Sequence, residues 1–464
     1  MKQFILLITG LWLYSILFQP AILGCTIFKV TRDGVTLVGN NEDGTDATTY
    51  LWFIPASKGK YGRVYFTLGD KWPQGGMNDQ GLFYDGTSAP WKAVVKSLDK
   101  PEYRGNLSEK ILESCATVPE ALSLLHQYNL GYFRNGQMFL ADKSGHSAIV
   151  EGDTIILGTD YYQIATNFYT SNPSLGGYPC HRYDIAETMI KNLPILSADV
   201  FRTILEAVHL EGYSFTQYST IYDLAQTTFY YYKDSNFKEA VKIDLKKELQ
   251  KKERWYETKE FFREKEKINV TTGNTKYFQE NVINHFPNKA VKCSLHFSND
   301  LLHGPGEGFY DNGQRSWSAT FDRGKRIGAL NNWNQSGAPI LGYRFIDRNH
   351  TDLLDYFPGG AFMLKLSFTK VGGDSIEPFQ VVVYNEDGKL NYQGTYKNGL
   401  LFLDNKNRPY SGGISVYYKN GNPFTQAEYK AGKPDGTLKQ WDAKGNLVKT
   451  EEYQNGILTG IRRY

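Results

Sequence analysis

The chain has 464 residues, 41% of them hydrophobic and 22% charged, with a formal net charge of +3. That balance excludes a disordered polyelectrolyte and leaves no basic footprint for nucleic acid. With 33 Tyr, 45 Gly and 5 Met, the composition favours strands and tight turns over helical bundles, and the length suits several domains.

Lys2 precedes an apolar stretch from Phe4 to Phe18, followed by Ala21-Ile22-Leu23-Gly24-Cys25. One basic residue, a short apolar core and a small final residue read as a secretory leader over 1–24, so the chain is expected to be exported. The cysteines, Cys25, Cys115, Cys180 and Cys293, fit no zinc spacing and make no disulfide framework. Cys25 stands where the leader ends, and two fates are open to it. Cleavage before it leaves thiol and free α-amine on one residue. Alternatively, Ile22-Leu23-Gly24-Cys25 is an imperfect lipobox and Cys25 becomes a lipid-modified anchor. The destination is accordingly periplasmic, extracellular or lipid-anchored at the surface.

From Cys25 the pattern is strand and turn. Cys25–Val30 and Val35–Val38 flank the hairpin pair Asp33-Gly34. Further strands are expected at Val64–Leu68, Leu82–Tyr84, Met138–Ala141, Ser147–Glu151, Thr154–Leu157 and Tyr162–Ala165. Helical periodicity marks Leu107–Leu112, Val118–Tyr128, Tyr183–Ile190 and Ala198–His209. Ser219–Leu224 and Thr227–Tyr232 read as a closing hairpin before Ala240–Leu245, so a mixed α and β domain spans 25–249. Lys246–Lys267 then holds nine basic and six acidic residues, which predicts a solvated linker over 250–284.

The rest, 285–464, is an internal repeat. An aromatic residue stands four positions before glycine in Phe309…Gly313, Trp333…Gly337, Tyr356…Gly360, Tyr384…Gly388, Tyr417…Gly421 and Trp441…Gly445, with Gly-to-Gly spacings of 24, 23, 28, 33 and 24. A second element runs through Phe321…Gly324, Phe368…Gly372, Tyr396…Gly399, Tyr429…Gly432 and Tyr453…Gly456. Each unit supplies about two short strands that must stack on neighbours to bury their apolar face. The array resembles the MORN-like β-hairpin repeats, which implies a membrane-contacting or protein-contacting module or a plain spacer.

Amide hydrolysis needs a nucleophile, a base beside it and donors for the oxyanion. An N-terminal cysteine brings the first two together, its thiol and α-amine having reference pKa values of about 8.5 and 7.7–8.0. Four segments accompany Cys25: Gly39-Asn40-Asn41-Glu42-Asp43 at the end of the second strand, the turn Gly76-Met77-Asn78-Asp79-Gln80-Gly81-Leu82, Ala165-Thr166-Asn167-Phe168, and His181-Arg182-Tyr183 at a helix start. In that order they resemble the choloylglycine hydrolase and penicillin V acylase family of N-terminal nucleophile hydrolases, over about residues 25–250 and including the tail Asn236–Leu245. The resemblance implies an α+β fold: an αββα sandwich, here followed by the all-β hairpin array.

Carried over position by position, the resemblance makes Cys25 the nucleophile and its α-amine the acid and base. Asp43 would hold that amine, Asn167 would donate to the oxyanion, and Arg182 would favour thiolate. Two positions depart from the family: Ser88 stands where it has Asn or Tyr, and Asn40 where it commonly has Arg, so Asn40 gives a hydrogen bond without charge. The simpler readings are an Asp43-Gly44 turn, an Asn167 cap, a surface Arg182 and inert packing for Cys115, Cys180 and Cys293. The implied substrate is a small N-acyl amine such as a conjugated bile salt, penicillin V or an N-acyl amino acid, and no metal or organic cofactor is expected. Phe83, Tyr84, Trp91 and Phe168 would suit an apolar acyl group. Acyl transfer to another amine, or a non-enzymatic lipid-anchored binding protein, are the alternatives. Asn106, Asn269, Asn334 and Asn349 lie in glycosylation-type triplets.

Overall fold

The computed structural model describes residues 24–44, 48–68, 72–211, 215–270, 276–347, 350–369, 379–397, 399–403 and 408–464. The leader up to Leu23, together with Gly372 and Asn349, lies outside them. Two compact units divide the chain, one running to Gly308 with Phe321–Lys325, the other made of Phe309–Thr320 and Arg326–Tyr464.

In the first unit one sheet is built from β1 (Thr26–Arg32), β2 (Val35–Gly44), β10 (Tyr162–Ala165), β11 (Phe215–Asp223), β12 (Thr228–Lys233), β13 (Glu239–Asp244) and β15 (Ile268–Asn269), in the order β10-β1-β2-β11-β12-β13-β15. Asp33 (φ 52°) and Gly34 (φ 76°) close the first hairpin with Arg32 opposite Val35, as their turn chemistry predicts. The second sheet takes β3 (Thr49–Ile54), β4 (Arg63–Leu68), β5 (Pro73–Asn78), β6 (Leu82–Ser88), β7 (Gly136–Asp142), β8 (Ser147–Val150), β9 (Ile155–Leu157) and β14 (Arg254–Glu257), in the order β14-β3-β4-β5-β6-β7-β8-β9. The strand pairings within these two sheets are antiparallel.

Alternation along the strands decides which side chains meet. Ile27 and Val38 of the first sheet share one buried core with Leu51, Phe53, Met77 and Phe83 of the second. Helices α1 (Leu107–Ser114) and α2 (Val118–Leu125) cover the other face of the second sheet, where Ile111, Leu112 and Leu125 pack on Tyr65, Tyr84 and Leu140. Helices α3 (His181–Lys191) and α4 (Ala198–Ala207) pack against β1, β2, β10 and β11. Among the described residues no helix is long and apolar enough to cross a membrane.

Two boundaries differ from expectation. The segment expected to be a charged linker is part of the fold: Arg254–Glu257 pairs with β3, and Phe261, on the helix Thr258–Glu264, is 1% exposed in the core. The charge run conceals four aromatics, Trp255, Tyr256, Phe261 and Phe262, and its charges find partners. Arg254 and Lys265 both bind Glu248, at 2.6 and 2.8 Å, and the Arg254 guanidinium lies 5.2 Å over the Phe53 ring. The hairpin Asn281–His285 with Val291–Ser298, expected to open the repeats at 285, also belongs to the first unit, because Glu187 of α3 holds Asn284 at 3.0 Å and Lys292 at 2.5 Å.

The second unit is a run of antiparallel hairpins such as Phe362–Thr369 with Phe379–Tyr384 and Gly436–Trp441 with Leu447–Gln454. Gly313, Gly337, Gly360, Gly388, Gly421 and Gly445 all have φ between 82° and 89° or, for Gly388, 81°. Each donates its N–H to the carbonyl three residues earlier, as in Gly313 to Tyr310 at 2.9 Å and Gly445 to Asp442 at 3.0 Å. The repeat frame read from the sequence is thus a frame of turns. Successive turns are tied by matching bonds: Tyr310 Oη donates to the Trp333 carbonyl and Tyr418 Oη to that of Trp441, at 2.7 and 3.1 Å, each 23 residues along.

Candidate active site

Cys25 immediately precedes β1, a strand flanked on both sides in its sheet, and is 6% exposed. The register Thr26 to Asn41 brings the far end of β2 beside it. Successive side chains of β2 then alternate between two environments. Asn41 and Asp43 turn toward the helices: Asn41 donates to the Leu205 carbonyl at 2.9 Å, and Asp43 lies 3.6 Å from Arg182 and accepts from Thr216. Asn40 and Glu42 turn the other way. The Cys25 thiol donates to Glu42 Oε2 at 3.4 Å, and Asn40 Nδ2 donates to Asp85 Oδ2 of the opposite sheet at 2.6 Å.

Arg182, the second residue of α3, is 3% exposed. Its Nη1 donates to the carbonyls of Gly24 and Cys25 at 2.7 and 2.9 Å and to Thr26 Oγ1 at 2.8 Å; its Nη2 donates to Asn167 Oδ1 at 2.6 Å. Asn167 follows β10 and donates in turn to the Ser88 carbonyl at 2.9 Å and Ser88 Oγ at 3.1 Å. Cys25, Asn167, Arg182 and Ser88, scattered over the sequence, therefore form one hydrogen-bonded cluster, with Asp43 in ionic contact with Arg182 at 3.6 Å. Asn40 lies beside it, joined to Asp85. Gly24 is buried within the cluster, and a Cβ there would sit 2.5 Å from Arg182 Nη2 and 3.1 Å from Asn167 Oδ1. Only glycine fits before this cysteine while that guanidinium holds its place.

The electrostatics differ from expectation in one respect. Arg182 spends its donors on carbonyls, a hydroxyl and an amide, while burial, reinforced by the charges of Glu42, Asp43 and Asp85, pushes the Cys25 thiol well above its ordinary range. An N–H of Asp43 opposes that rise. Burial also raises Asp43, to about 7, against the pull of Arg182, the Thr216 hydrogen bond and His209. Cys25 is still joined to Gly24 here, so its nitrogen is a peptide nitrogen, and Asn167 uses its amide donor on Ser88.

Several sequence candidates have other tasks. Asn78 of the Gly-Met-Asn turn donates to the carbonyls of Leu112 and Cys115 at 3.0 and 2.7 Å, tying down the end of α1. Phe83 and Tyr84 are core residues on opposite faces of β6, and Phe168 packs edge-on against Tyr178 and Tyr183. Asn106 caps α1 through Oδ1, and Asn334 Oδ1 closes a turn with the N–H groups of Ser336 and Ala338. Glu42 and Asp85 escaped the sequence reading. The period of two that groups Asn40 with Glu42, and a lone carboxylate in the apolar run Leu82–Tyr84 as it continues, were the available signals. Among the described residues no cluster of three His, Cys, Asp or Glu side chains is arranged to hold a metal ion.

Residues 380–398 and 434–455 match the MORN repeat variant family. The C-terminal region carries MORN repeats. Half of the chain (50%) is similar to penicillin V acylase from Agrobacterium tumefaciens, at 20% identity and a TM-score of 0.39 over 91% of that structure. A variant of conjugated bile acid hydrolase from Clostridium perfringens is similar over the same share, at 16% identity and a TM-score of 0.37 over 97% of its chain. No curated protein matches the chain.

Proposed function

We propose that this chain is the precursor of an exported N-terminal cysteine hydrolase that cleaves a linear, non-peptide amide C–N bond through a thioester on Cys25. The catalytic domain is read as an αββα sandwich, with the MORN repeats as a surface-binding or partner-binding module or a spacer. One observation carries the proposal: Arg182, which also binds Asn167 and lies 3.6 Å from Asp43, donates to the Gly24 and Cys25 carbonyls, so a carbonyl next to the nucleophilic residue is already held by a guanidinium.

Removal of Gly24 frees the α-amine and vacates that carbonyl position. The amine takes the thiol proton as Sγ attacks the substrate's acyl carbon, and the carbonyl electrons move onto oxygen, where Arg182 and Asn167 donate. The C–N bond then breaks, the leaving amine departs with the proton held by the α-ammonium, and a water deprotonated by the same amine releases the acid from the thioester. Asp43 Oδ2, buried and without a hydrogen-bond partner, is a vacant acceptor for the ammonium. The chemistry draws on side chains, one amine and water.

The test is the mass of the mature N-terminal peptide, followed by amide hydrolysis by wild type and Cys25→Ala. A free Cys25 and an inactive alanine variant are expected. A lipid-modified Cys25, or an alanine variant as active as wild type, would sink the reading. A competing amine in the assay separates hydrolysis from acyl transfer.

A further inference from the structure

Two carboxyls beside the nucleophile have no part in the chemistry above. Glu42 is partly exposed and meets the thiol at 3.4 Å; Asp85, 2% exposed, is reached from Asn40 at 2.6 Å. Neither has an ion-pair partner among the described residues, since Arg182 serves Asp43 on the other side of β2. Burial and mutual repulsion oppose ionising both: Asp85 is raised to about 7, and Glu42 rises through burial and the charge of Asp85. Asn40 is 1% exposed, and while its Nδ2 binds Asp85 its Oδ1 has no partner at all. Space has been left for this group. A Cβ on Gly75 would fall 2.3 Å from the Asp85 carboxyl. The carboxyls have neutral donors, Gly86 N–H at 2.7 Å and Asn40 for Asp85 and the thiol for Glu42, but no cation, and Asn40 Oδ1 is a buried acceptor with no donor, which is costly unless a ligand completes it.

We propose that Glu42, Asp85 and Asn40 form a cation subsite beside Cys25, and that the substrate is a linear amide carrying a primary ammonium group a few bonds from the scissile carbonyl. This deepens the amidase reading and rests on it. A primary ammonium has three donors and no acceptor, which matches one oxygen from each of the three side chains. It also supplies the positive charge that Asn40 cannot. A neutral isostere would leave Asn40 Oδ1 unpaired and both carboxyls without a cation, and a substrate carboxylate would meet two acids, so the site discriminates by both attraction and repulsion.

The experiment uses the mature full chain and three amides of one acyl skeleton, bearing an ammonium, a methyl or a carboxylate at the same position close to the carbonyl. The ammonium compound is expected to show a kcat/KM at least about 10²-fold above the neutral one, with the carboxylate slowest. In Glu42→Gln/Asp85→Asn the ratio of ammonium to neutral kcat/KM should collapse toward one. Binding of 3-aminopropanamide and of butanamide to the Cys25→Ala chain gives the same comparison without turnover. Cleavage of the neutral or carboxylate compound as fast as the ammonium one overturns the subsite and leaves the amidase reading standing. No cleavage of any of the three, with equal binding of both amides, overturns both.

Discussion

Around Cys25, buried polar groups from residues 24, 88, 167 and 182 are joined through bonds that each occur once, and the loss of Arg182 strands several acceptors together. In the MORN hairpins, polar groups sit at turns, and the same two or three bonds recur with the period of the sequence, so no single one is indispensable. The first arrangement concentrates chemistry at one point and makes it brittle. The second spreads stability over many equivalent contacts and leaves the strands free to vary.

The sharpest way to break the contrast is Cys25→Ala. It is expected to reduce turnover by 10³-fold or more with no fall in melting temperature; retained activity would remove the concentrated site altogether. Arg182→Leu comes next, since it strands the Gly24, Cys25, Thr26 and Asn167 oxygens together. A loss of about 3–5 kcal/mol is expected by chemical denaturation. A variant as stable as wild type would show those bonds to be expendable. Gly24→Val is expected to leave uncleaved precursor, read by N-terminal sequencing, because its side chain and Arg182 claim one space.

Asp85→Asn tests the buried carboxyls by pH. The folded pKa of Asp85, about 7 against an ordinary 3.8, means the folded state holds the proton more tightly than the unfolded one. Wild-type stability should therefore fall as pH rises from about 4 to 7. The variant escapes that fall, gaining about 2–4 kcal/mol over wild type at pH 8 and nothing at pH 4; the new amide can also donate to Asn40 Oδ1. Melting curves at both pH values, with no difference between them, would refute the raised carboxyl. Smallest is Gly445→Ala, where φ is +87°. About 1 kcal/mol is expected from the strained backbone, with amide hydrolysis unchanged.

The repeats were the most legible part, because an aromatic residue and a glycine at fixed distance report a turn whose geometry only glycine satisfies cheaply. The hairpin at Asp33-Gly34 and the helices of the first unit were readable for similar local reasons. The charge run in 250–284 conceals Trp255 and Phe261, whose burial depends on a strand about two hundred residues earlier, so charge alone does not report the fold there. The meeting of Cys25 with Asp43, Asn167, Arg182 and Ser88 was readable only through order and resemblance, since each residue alone looks like a cap, a turn or a surface group. Glu42 and Asp85 required the third dimension: each faces the other only because two sheets pack with those faces inward.

At two turns, those of Tyr310 and Tyr418, where the next turn stands 24 residues on, the tyrosine hydroxyl is fastened to the carbonyl 23 residues onward like a tooth of a zip. The longer spacings, 28 and 33, follow the turns of Phe357 and Asn385, which carry no such hydroxyl. Loss of part of a repeat leaves a hydroxyl opposite the wrong carbonyl. The array can therefore be lengthened or shortened by whole hairpins, and its length is a quantity that duplication or deletion can set.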